Sequence, residues 1–245
     1  MQPTILFGQP QVFRELKTTT IAMKQILSAV YQFVFPHCCV GCGDQLHTPE
    51  FFICDDCVNT RFESPQEQHK LILPESVSRV YSMWKFDKGG DLQNILHQLK
   101  YHRLTGAGIQ LGRLLGARLD DIAGYFESEP LLIPVPLHRK KLMKRGFNQA
   151  RVIADGLGQI TGWPVVDKDN IIRQKNTTSQ TGLSTAERAK NLKNAFLINK
   201  PDVLPEFQPV IVDDVFTTGT TTFELARAIY METGLKSLIV TVAFA

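Results

Sequence analysis

Two adjacent carboxylates follow an apolar run in the C-terminal part of the chain. Residues 210–212 are Val-Ile-Val, which predicts a buried strand, and Asp213 and Asp214 come directly after it. Residues 217–221 then supply threonine hydroxyls and backbone N–H groups around a glycine. A strand end, a donor-rich loop and a helix start together form an anion site. Because two carboxylates would repel a bare phosphate, we expect a ligand that also carries hydroxyls or a metal ion, as a phosphorylated sugar does.

The segment after this loop predicts a helix. Thr221 and Glu224 have the spacing of a capping box, in which two side chains satisfy the first turn. Apolar residues then recur at helical spacing at Phe223, Ala226, Ile229 and Tyr230. The alternative is an ordinary strand–turn–helix with acidic turn residues. We prefer the anion site because strand, acid pair, threonine-rich loop and helix start all coincide.

Four cysteines nearer the other end form two C-x2-C pairs. Cys39 and Cys42 make the first pair, and Cys54 and Cys57 make the second after 11 intervening residues. This spacing predicts a tetrahedral four-thiolate site, for which zinc is the usual metal. Four thiolates leave no open coordination position, so we expect a structural zinc ion. Gly43 suits the tight turn of a zinc knuckle, where a positive φ is useful.

Besides the four paired cysteines, the chain has a fifth, and zinc binding has two alternatives. Cys38 makes the cysteine count odd, and we interpret it as a bystander or a substitute ligand. Disulfides and a redox C-x2-C are the alternatives. Both fit less well, because we recognise no secretory signal and redox chemistry needs only one such pair.

Composition limits the class of protein. The chain has 245 residues, 43% hydrophobic and 21% charged, with a net charge of +3. This length accommodates one α/β domain with a small added module. The charge is too small to indicate nucleic-acid binding by itself. No apolar run approaches the roughly 18 residues of a membrane-spanning helix, so we expect no membrane insertion and a cytoplasmic location.

Strand-like and helix-like segments alternate along the rest of the chain. Apolar or alternating runs predict strands at residues 80–86, 131–137, 171–172, 196–198, 210–212 and 237–244. Helical spacing predicts helices at residues 92–101, 109–119, 147–160 and 184–192, the last with a capping box at Ser184 and Glu187. This alternation predicts an α/β fold with a mainly parallel sheet flanked by helices. Ligands of such sheets bind at the carboxyl ends of the strands.

A dense basic run occupies residues 138–145, and we interpret it as a loop directly after a predicted strand. Arginine suits bidentate contact with phosphate, so Arg145 and Gly146, ahead of the next predicted helix, are candidate anion contacts. A solvated basic surface and a patch for the DNA backbone are the alternatives. Basic charge alone does not separate the three.

Several motifs together resemble the ComF family, phosphoribosyltransferase-like proteins associated with natural DNA uptake in bacteria. They are L-K-Y at residues 99–101, I-P-V-P-L at 133–137, R-G-F-N-Q at 145–149, and a stretch that includes Arg173, Q-T-G-L at 180–183, Arg188, Asn191 and Phe196. The resemblance runs from about Met23 to the last residue. The segment from Val210 to Thr221 also resembles the signature of type I phosphoribosyltransferases, which bind phosphoribosyl pyrophosphate (PRPP).

The resemblance assigns roles to individual residues. Asp213 and Asp214 would contact the ribose hydroxyls, and Thr217, Thr218, Gly219, Thr220 and Thr221 would hold the 5′-phosphate. Arg145 and Gly146 would bind pyrophosphate together with Mg²⁺, so that Asp213, Asp214 and Arg145 form the catalytic set. Residues 174–195 would be the hood, or lid, over the site, with Arg173, Gln180, Arg188 and Asn191 as candidate contacts. The motifs do not name the acceptor substrate.

Local sequence pattern, together with the resemblance, divides the chain. We expect an extension at residues 1–22, either disordered or upstream of a start at Met23, and a helix plus zinc-ribbon module at 23–62. A linker at 63–78 would lead to the phosphoribosyltransferase-like domain at 79–245.

Three functions fit these expectations. The first is a PRPP-binding phosphoribosyltransferase-like protein of natural competence, whose catalysis is left open. The second is a non-catalytic module that binds single-stranded DNA or a competence helicase. The third is a PRPP-sensing regulator.

Overall fold

The structure is a computed structural model that describes residues 36–46, 48, 50–66, 71–119, 126, 128–174, 194–201, 204 and 206–245. The expected extension, the helix near residues 23–34, and the hood residues Gln180, Arg188 and Asn191 lie outside this set. So does the capping box at Ser184. Within the described part, no helix has the length and apolar character needed to cross a membrane.

Strands and helices alternate along the described chain. In order, the elements are β1 (Val77–Lys85), α1 (Asp91–Tyr101), α2 (Thr105–Leu119), β2 (Pro130–Pro134), α3 (Arg139–Arg145), α4 (Gln149–Thr161), β3 (Ile171–Arg173), β4 (Phe196–Ile198), β5 (Gln208–Phe216), α5 (Thr220–Thr233) and β6 (Ser237–Phe244). A π-helical turn at Cys57–Arg61 precedes β1. Strands β1, β6, β5 and β2 form one parallel sheet in that order. Strands β3 and β4 form a separate antiparallel pair.

Helices cover both faces of the parallel sheet because its strands β2, β5 and β6 are apolar on both sides over most of their length. Val210 and Val212 of β5 belong to the hydrophobic cluster that contains α1, α2 and α4. Ile211, between them, belongs to the cluster that contains α5. Side chains alternate along a strand, so a continuous run of β-branched residues serves two layers at once.

Helices α2 and α4 approach closely through glycines. A Cβ atom at Gly112 would lie 2.1 Å from the carbonyl oxygen of Ile153, and one at Gly156 would lie 2.2 Å from that of Ile109. No side chain fits in either gap. This close contact fixes α4, and therefore its first residues, relative to the sheet.

The cysteine segment packs directly on the α/β core. Ile53 and Val58 share one hydrophobic cluster with Leu92 and Ile95 of α1. The predicted fold class is therefore confirmed: a mainly parallel sheet is flanked by helices, with a cysteine cluster on the N-terminal side of the chain.

Candidate functional site

The acid pair lies where the sheet opens on one side of β5. Pairing between β2 and β5 ends at Pro134 opposite Val212, and the N–H of Val135 donates the last bond to Val212 at 2.9 Å. On its other side β5 stays paired with β6 as far as Phe216. Asp213 and Asp214 thus lie within the strand, not beyond it as the sequence predicted, but past the end of β2.

Lys100, at the end of α1, forms an ion pair with Asp214. The Asp214 side chain is 7% exposed and the Lys100 side chain 25%. The side chain of Gln149, the first residue of α4, lies beside the Asp214 carboxylate and contributes to its lowered pKa. Three elements therefore meet at one carboxylate, which fixes its position.

The two carboxylates have opposite electrostatic surroundings. Although burial opposes ionisation, Lys100 and hydrogen bonding from Gln149 hold the pKa of Asp214 below its usual value. Burial and the Asp214 charge raise the pKa of Asp213 well above its usual value. The same Asp214 charge keeps the pKa of Lys100 raised despite its burial. Asp214 is thus neutralised inside the protein, whereas Asp213 is the carboxylate that a ligand would have to stabilise.

The basic run is mostly helical, which corrects its interpretation as a loop. The His138 ring accepts a hydrogen bond from the N–H of Lys140, and Gly146 closes the other end of α3 with φ 85°. Arg145 therefore ends one helix, and α4 begins at Gln149 after the Asn148 cap. The Arg145 guanidinium donates to the Gln149 side chain, which links it to the carboxylate that Lys100 neutralises.

The threonine loop ends in a helix start whose N–H groups are open. Helix α5 begins at Thr220 after Gly219, and no side chain of the described residues caps it. The predicted capping box is wrong: Glu224 instead pairs with Arg227 and accepts from the N–H of Asn194. The N–H groups of the first turn, which have no acceptor within the helix, can therefore meet an anion.

Gly219 is required by both conformation and space. Its φ is 70°, a value that side chains disfavour, and a Cβ there would lie 2.7 Å from the Phe216 ring. Phe216 is buried, stacked on Phe244 with 5.6 Å between ring centroids. The large ring beneath the loop thus allows only glycine at this point. On the exposed side, the hydroxyl oxygens of Thr218 and Thr220 lie 2.6 Å apart.

Arg173, a predicted hood residue, lies at the end of β3. Its guanidinium carbon is 5.6 Å from the centre of the Phe196 ring. Burial lowers the pKa of Arg173, and the Asp213 charge opposes that shift, so the two side chains share one electrostatic environment. Arg173 also lines a cleft of about 640 Å³ between α3 and β3.

The four cysteine side chains come together as predicted. The sulfur atoms of Cys39, Cys42, Cys54 and Cys57 all lie within 4.8 Å of one another, an arrangement that can hold a metal ion. The N–H of Cys54 donates to the Cys39 sulfur at 3.3 Å, and the N–H of Cys57 to the Cys54 sulfur at 3.4 Å. Gly43 has φ 83°, as the knuckle turn requires.

Cys38 is exposed, and its sulfur contacts the carbonyl oxygen of Pro36 at 3.5 Å, away from the other four.

The cysteines of the cluster differ in pKa. Burial acts to raise the pKa of Cys39, but hydrogen bonds from backbone N–H groups outweigh it and lower this pKa to about 7. Burial raises the pKa of Cys42 to about 12. Four thiolates can therefore coexist only with a cation among them.

Known proteins with similar sequences indicate which family the chain resembles. The chain is 36% identical over 143 residues to the DNA utilization protein YhgH of Salmonella typhimurium, a match covering 56% of this chain and 60% of that protein. It is 28% identical to Competence protein F of Haemophilus influenzae over 79% of this chain and 78% of that protein. Competence protein ComFC of Bacillus subtilis is 26% identical over 43% of this chain and 40% of that protein. These similarities support the resemblance of the chain to the ComF family.

Two facts limit what these similarities show. The chain spans 60% of the length of the Salmonella relative that it matches. No family model matches it.

Lys100 and Gln149 are the side chains of this site whose contacts the sequence did not reveal. Both lie in motifs that supported the resemblance, L-K-Y and R-G-F-N-Q, yet their partner Asp214 is far away in the chain. A lone lysine in an amphipathic helix, next to an aromatic residue, was the available signal.

Proposed function

We propose that this protein binds PRPP and is a phosphoribosyltransferase-like protein of the ComF family. The proposal rests on the arrangement at the end of β5. Among the described residues, Lys100 pairs with Asp214 and no lysine pairs with Asp213, and the open N-terminus of α5 follows after residues 217–219. A carboxylate and an anion site side by side match a ligand with hydroxyls at one end and phosphate at the other.

Each half of the ligand has its own contacts in this proposal. The ribose hydroxyls donate to Asp213 and Asp214, because a carboxylate accepts two hydroxyl hydrogen bonds at once. The 5′-phosphate accepts from the first-turn N–H groups of α5 and from the hydroxyls of Thr217, Thr218, Thr220 and Thr221, with Gly219 allowing close approach.

The pyrophosphate lies near the other cations of the site. Arg145 and the Gly146 backbone are within reach of the acid pair through Gln149 and Lys100. Mg²⁺ would supply charge neutralisation for the pyrophosphate when bound. The protein's own part is to hold the ribose and the departing pyrophosphate in place, and it needs no covalent nucleophile.

We propose zinc as the metal of the cysteine cluster. The donor set is four thiolates with N–H···S bonds, which suits Zn²⁺ in a closed site. Its role is structural, because the cluster shares a hydrophobic core with α1.

We infer a role in natural competence or DNA uptake from the names of the relatives. Single-stranded DNA and a competence helicase remain the candidate partners. A PRPP-sensing regulator is the alternative that uses the same site without turnover.

Calorimetric titration with PRPP and Mg²⁺ tests the proposed ligand. PRPP should bind more tightly than ribose 5-phosphate, because only PRPP meets Arg145. A screen of nucleobases and amines for pyrophosphate release then separates enzyme from sensor. Binding without release by any acceptor favours the sensor, and absence of PRPP binding contradicts the proposal.

A further inference from the structure

Helix α1 lies between the cysteine cluster and the acid pair and contacts both. In its first turn, the side chain of Asn94 donates to the carbonyl oxygen of Val40 at 2.9 Å, and Val40 lies between the two cysteines of the first pair. In its last turn, Lys100 forms the ion pair with Asp214. Asn94 and Lys100 are about 9 Å apart along the helix axis. One helix therefore joins the two sites.

Arg61 holds both cysteine pairs to the first residue of α1. Its Nε donates to Asp56, inside the second pair, at 2.8 Å, and its Nη1 donates to Asp91 of α1 at 3.2 Å. Its Nη2 lies 3.7 Å from the carboxylate of Asp44, two residues after the first pair. Three carboxylates from three segments share one guanidinium, and such a network fixes positions better than a single exposed ion pair does.

Close packing leaves no free space between the cysteine cluster and α1. A Cβ atom added at Gly41 would lie 3.2 Å from the Cys57 sulfur and 3.2 Å from Cδ1 of Ile95. Leu92 and Ile95 are fully buried in one hydrophobic cluster with Cys39 and Cys57. Because a densely packed interior transmits strain, a change in the arrangement of the sulfur atoms should move α1.

The position of Lys100 decides the charge that the acid pair presents to an anion. Its ammonium neutralises Asp214, whose side chain is 7% exposed, while Asp213 lies next to it in the strand. If α1 shifts, both carboxylates remain without that neutralising charge and oppose an anionic ligand. A misplacement of about 1 Å, caused far from a site, can lower its activity about 100-fold.

We propose that metal binding by the cysteine cluster positions Lys100 against Asp214 through α1. Asn94 and Arg61 are then positioning residues of the acid-pair site, although neither touches it. The metal stabilises the cysteine segment and also sets the affinity of the distant site. The ligand measurement below rests on the proposed PRPP function, whereas the coupling between the metal and the Lys100–Asp214 pair does not.

Zinc affinity tests the coupling without PRPP. The full-length protein loaded with zinc is titrated with a chromophoric chelator. Lys100→Met combined with Asp214→Asn removes the ion pair without leaving a buried charge. Because the pair and the metal favour the same position of α1, this variant should bind zinc at least about 5-fold more weakly than the wild type. Gln98→Ala on the same helix, which leaves the bonds to Val40 and Arg61 in place, is the matched control and should keep the wild-type zinc affinity.

Calorimetry on a second variant tests the positioning residues. Asn94→Ala combined with Arg61→Gln breaks the bonds to α1 but keeps all four cysteines, so metal analysis should still find about one zinc per chain. PRPP should bind at least about 5-fold more weakly. Inorganic phosphate, which needs only the start of α5, should weaken much less. Should this variant lose zinc, Asn94→Ala alone repeats the measurement.

Reciprocity gives a further check, because two coupled ligands must affect each other equally. Saturating PRPP should tighten zinc binding by the wild type but not by Lys100→Met with Asp214→Asn. Wild-type zinc affinity in the variant without the ion pair would overturn the proposal. Equal weakening of PRPP and inorganic phosphate, or of neither, by Asn94→Ala with Arg61→Gln would do the same. Absence of PRPP binding by the wild type would instead contradict the proposed function, and zinc affinity alone would then decide the coupling.

Discussion

The cysteine cluster and the acid pair both hold like-charged groups at close range, but they differ in what can neutralise them. The four sulfurs face one another in a closed set, so a metal ion would fill the cluster and leave no position for a ligand. At the end of β5, the protein supplies Lys100 for Asp214 and no comparable ion pair for Asp213 among the described residues. A closed site stabilises a fold, whereas an open one is suited to a ligand.

The largest expected effect is the loss of zinc and of stability when one cysteine of the cluster is replaced. Cys57→Ser removes a buried ligand, and because metal binding and folding are coupled, the variant should lose about one zinc per chain. Its stability should fall by several kcal/mol, or about 10 °C in Tm, since the cluster packs on α1. Metal analysis and thermal melting measure both quantities.

The matched control is Cys38→Ser, because this cysteine lies outside the cluster. It should keep both zinc and stability. Equal zinc loss in the two variants would make Cys38 a ligand, and zinc retained in Cys57→Ser would contradict the four-thiolate site.

The next largest effect should be the loss of stability when the Asp214 carboxylate, which pairs with Lys100, is removed. Asp214→Asn leaves a largely buried lysine without its carboxylate, which should cost about 2–3 kcal/mol of unfolding free energy, less than a fully buried pair because Lys100 is partly exposed. Urea denaturation measures the loss. Adding Lys100→Met to Asp214→Asn should recover part of the lost unfolding free energy. If the effects of the two substitutions on this free energy simply add, the ion pair does not contribute to stability.

Arg145→Ala tests which end of the ligand the basic residues serve. Loss of a charge-assisted contact should weaken PRPP by about 2 kcal/mol and ribose 5-phosphate much less. Calorimetry measures both affinities. Arg139→Ala, at the exposed start of α3, is the control. Equal weakening of the two ligands by Arg145→Ala would assign Arg145 to the 5′-phosphate or to a structural role.

The smallest effect is the pH dependence of stability that Asp213 imposes. Its raised pKa means that the folded protein binds this proton more tightly than the unfolded chain does. Stability should therefore fall as pH rises from the ordinary aspartate pKa through the raised one, by about 1.4 kcal/mol per unit of difference. Asp213→Asn should flatten this part of the curve in thermal melts at constant ionic strength. An unchanged curve would show that Asp213 ionises normally.

Local patterns predicted much of this molecule. The C-x2-C pairs place four sulfurs together, and the apolar runs at 196–198 and 237–244 match β4 and β6. The capping box failed because Glu224 has a nearer partner in Arg227, one turn along the same helix. The basic run looked like a loop because its caps, His138 and Gly146, are common in turns as well.

The pairing of Lys100 with Asp214 was not predictable from local pattern, since it depends on how α1 crosses the end of β5. The same holds for Gln149, which the glycine contact between α2 and α4 brings to the acid pair. Pairings between distant residues are set by tertiary packing, which one sequence does not reveal.

The most direct test of the account is calorimetric titration of Asp213→Asn with PRPP and Mg²⁺ beside the wild type. The amide keeps the size of the side chain but offers one accepting oxygen and two donors, so it cannot serve two ribose hydroxyls as a carboxylate does. We expect the folded variant to lose PRPP binding while inorganic phosphate still binds the Thr217–Thr221 loop, more tightly because a nearby negative charge is gone. Unchanged PRPP affinity in the folded variant would contradict the assignment of this strand end to a phosphorylated ribose.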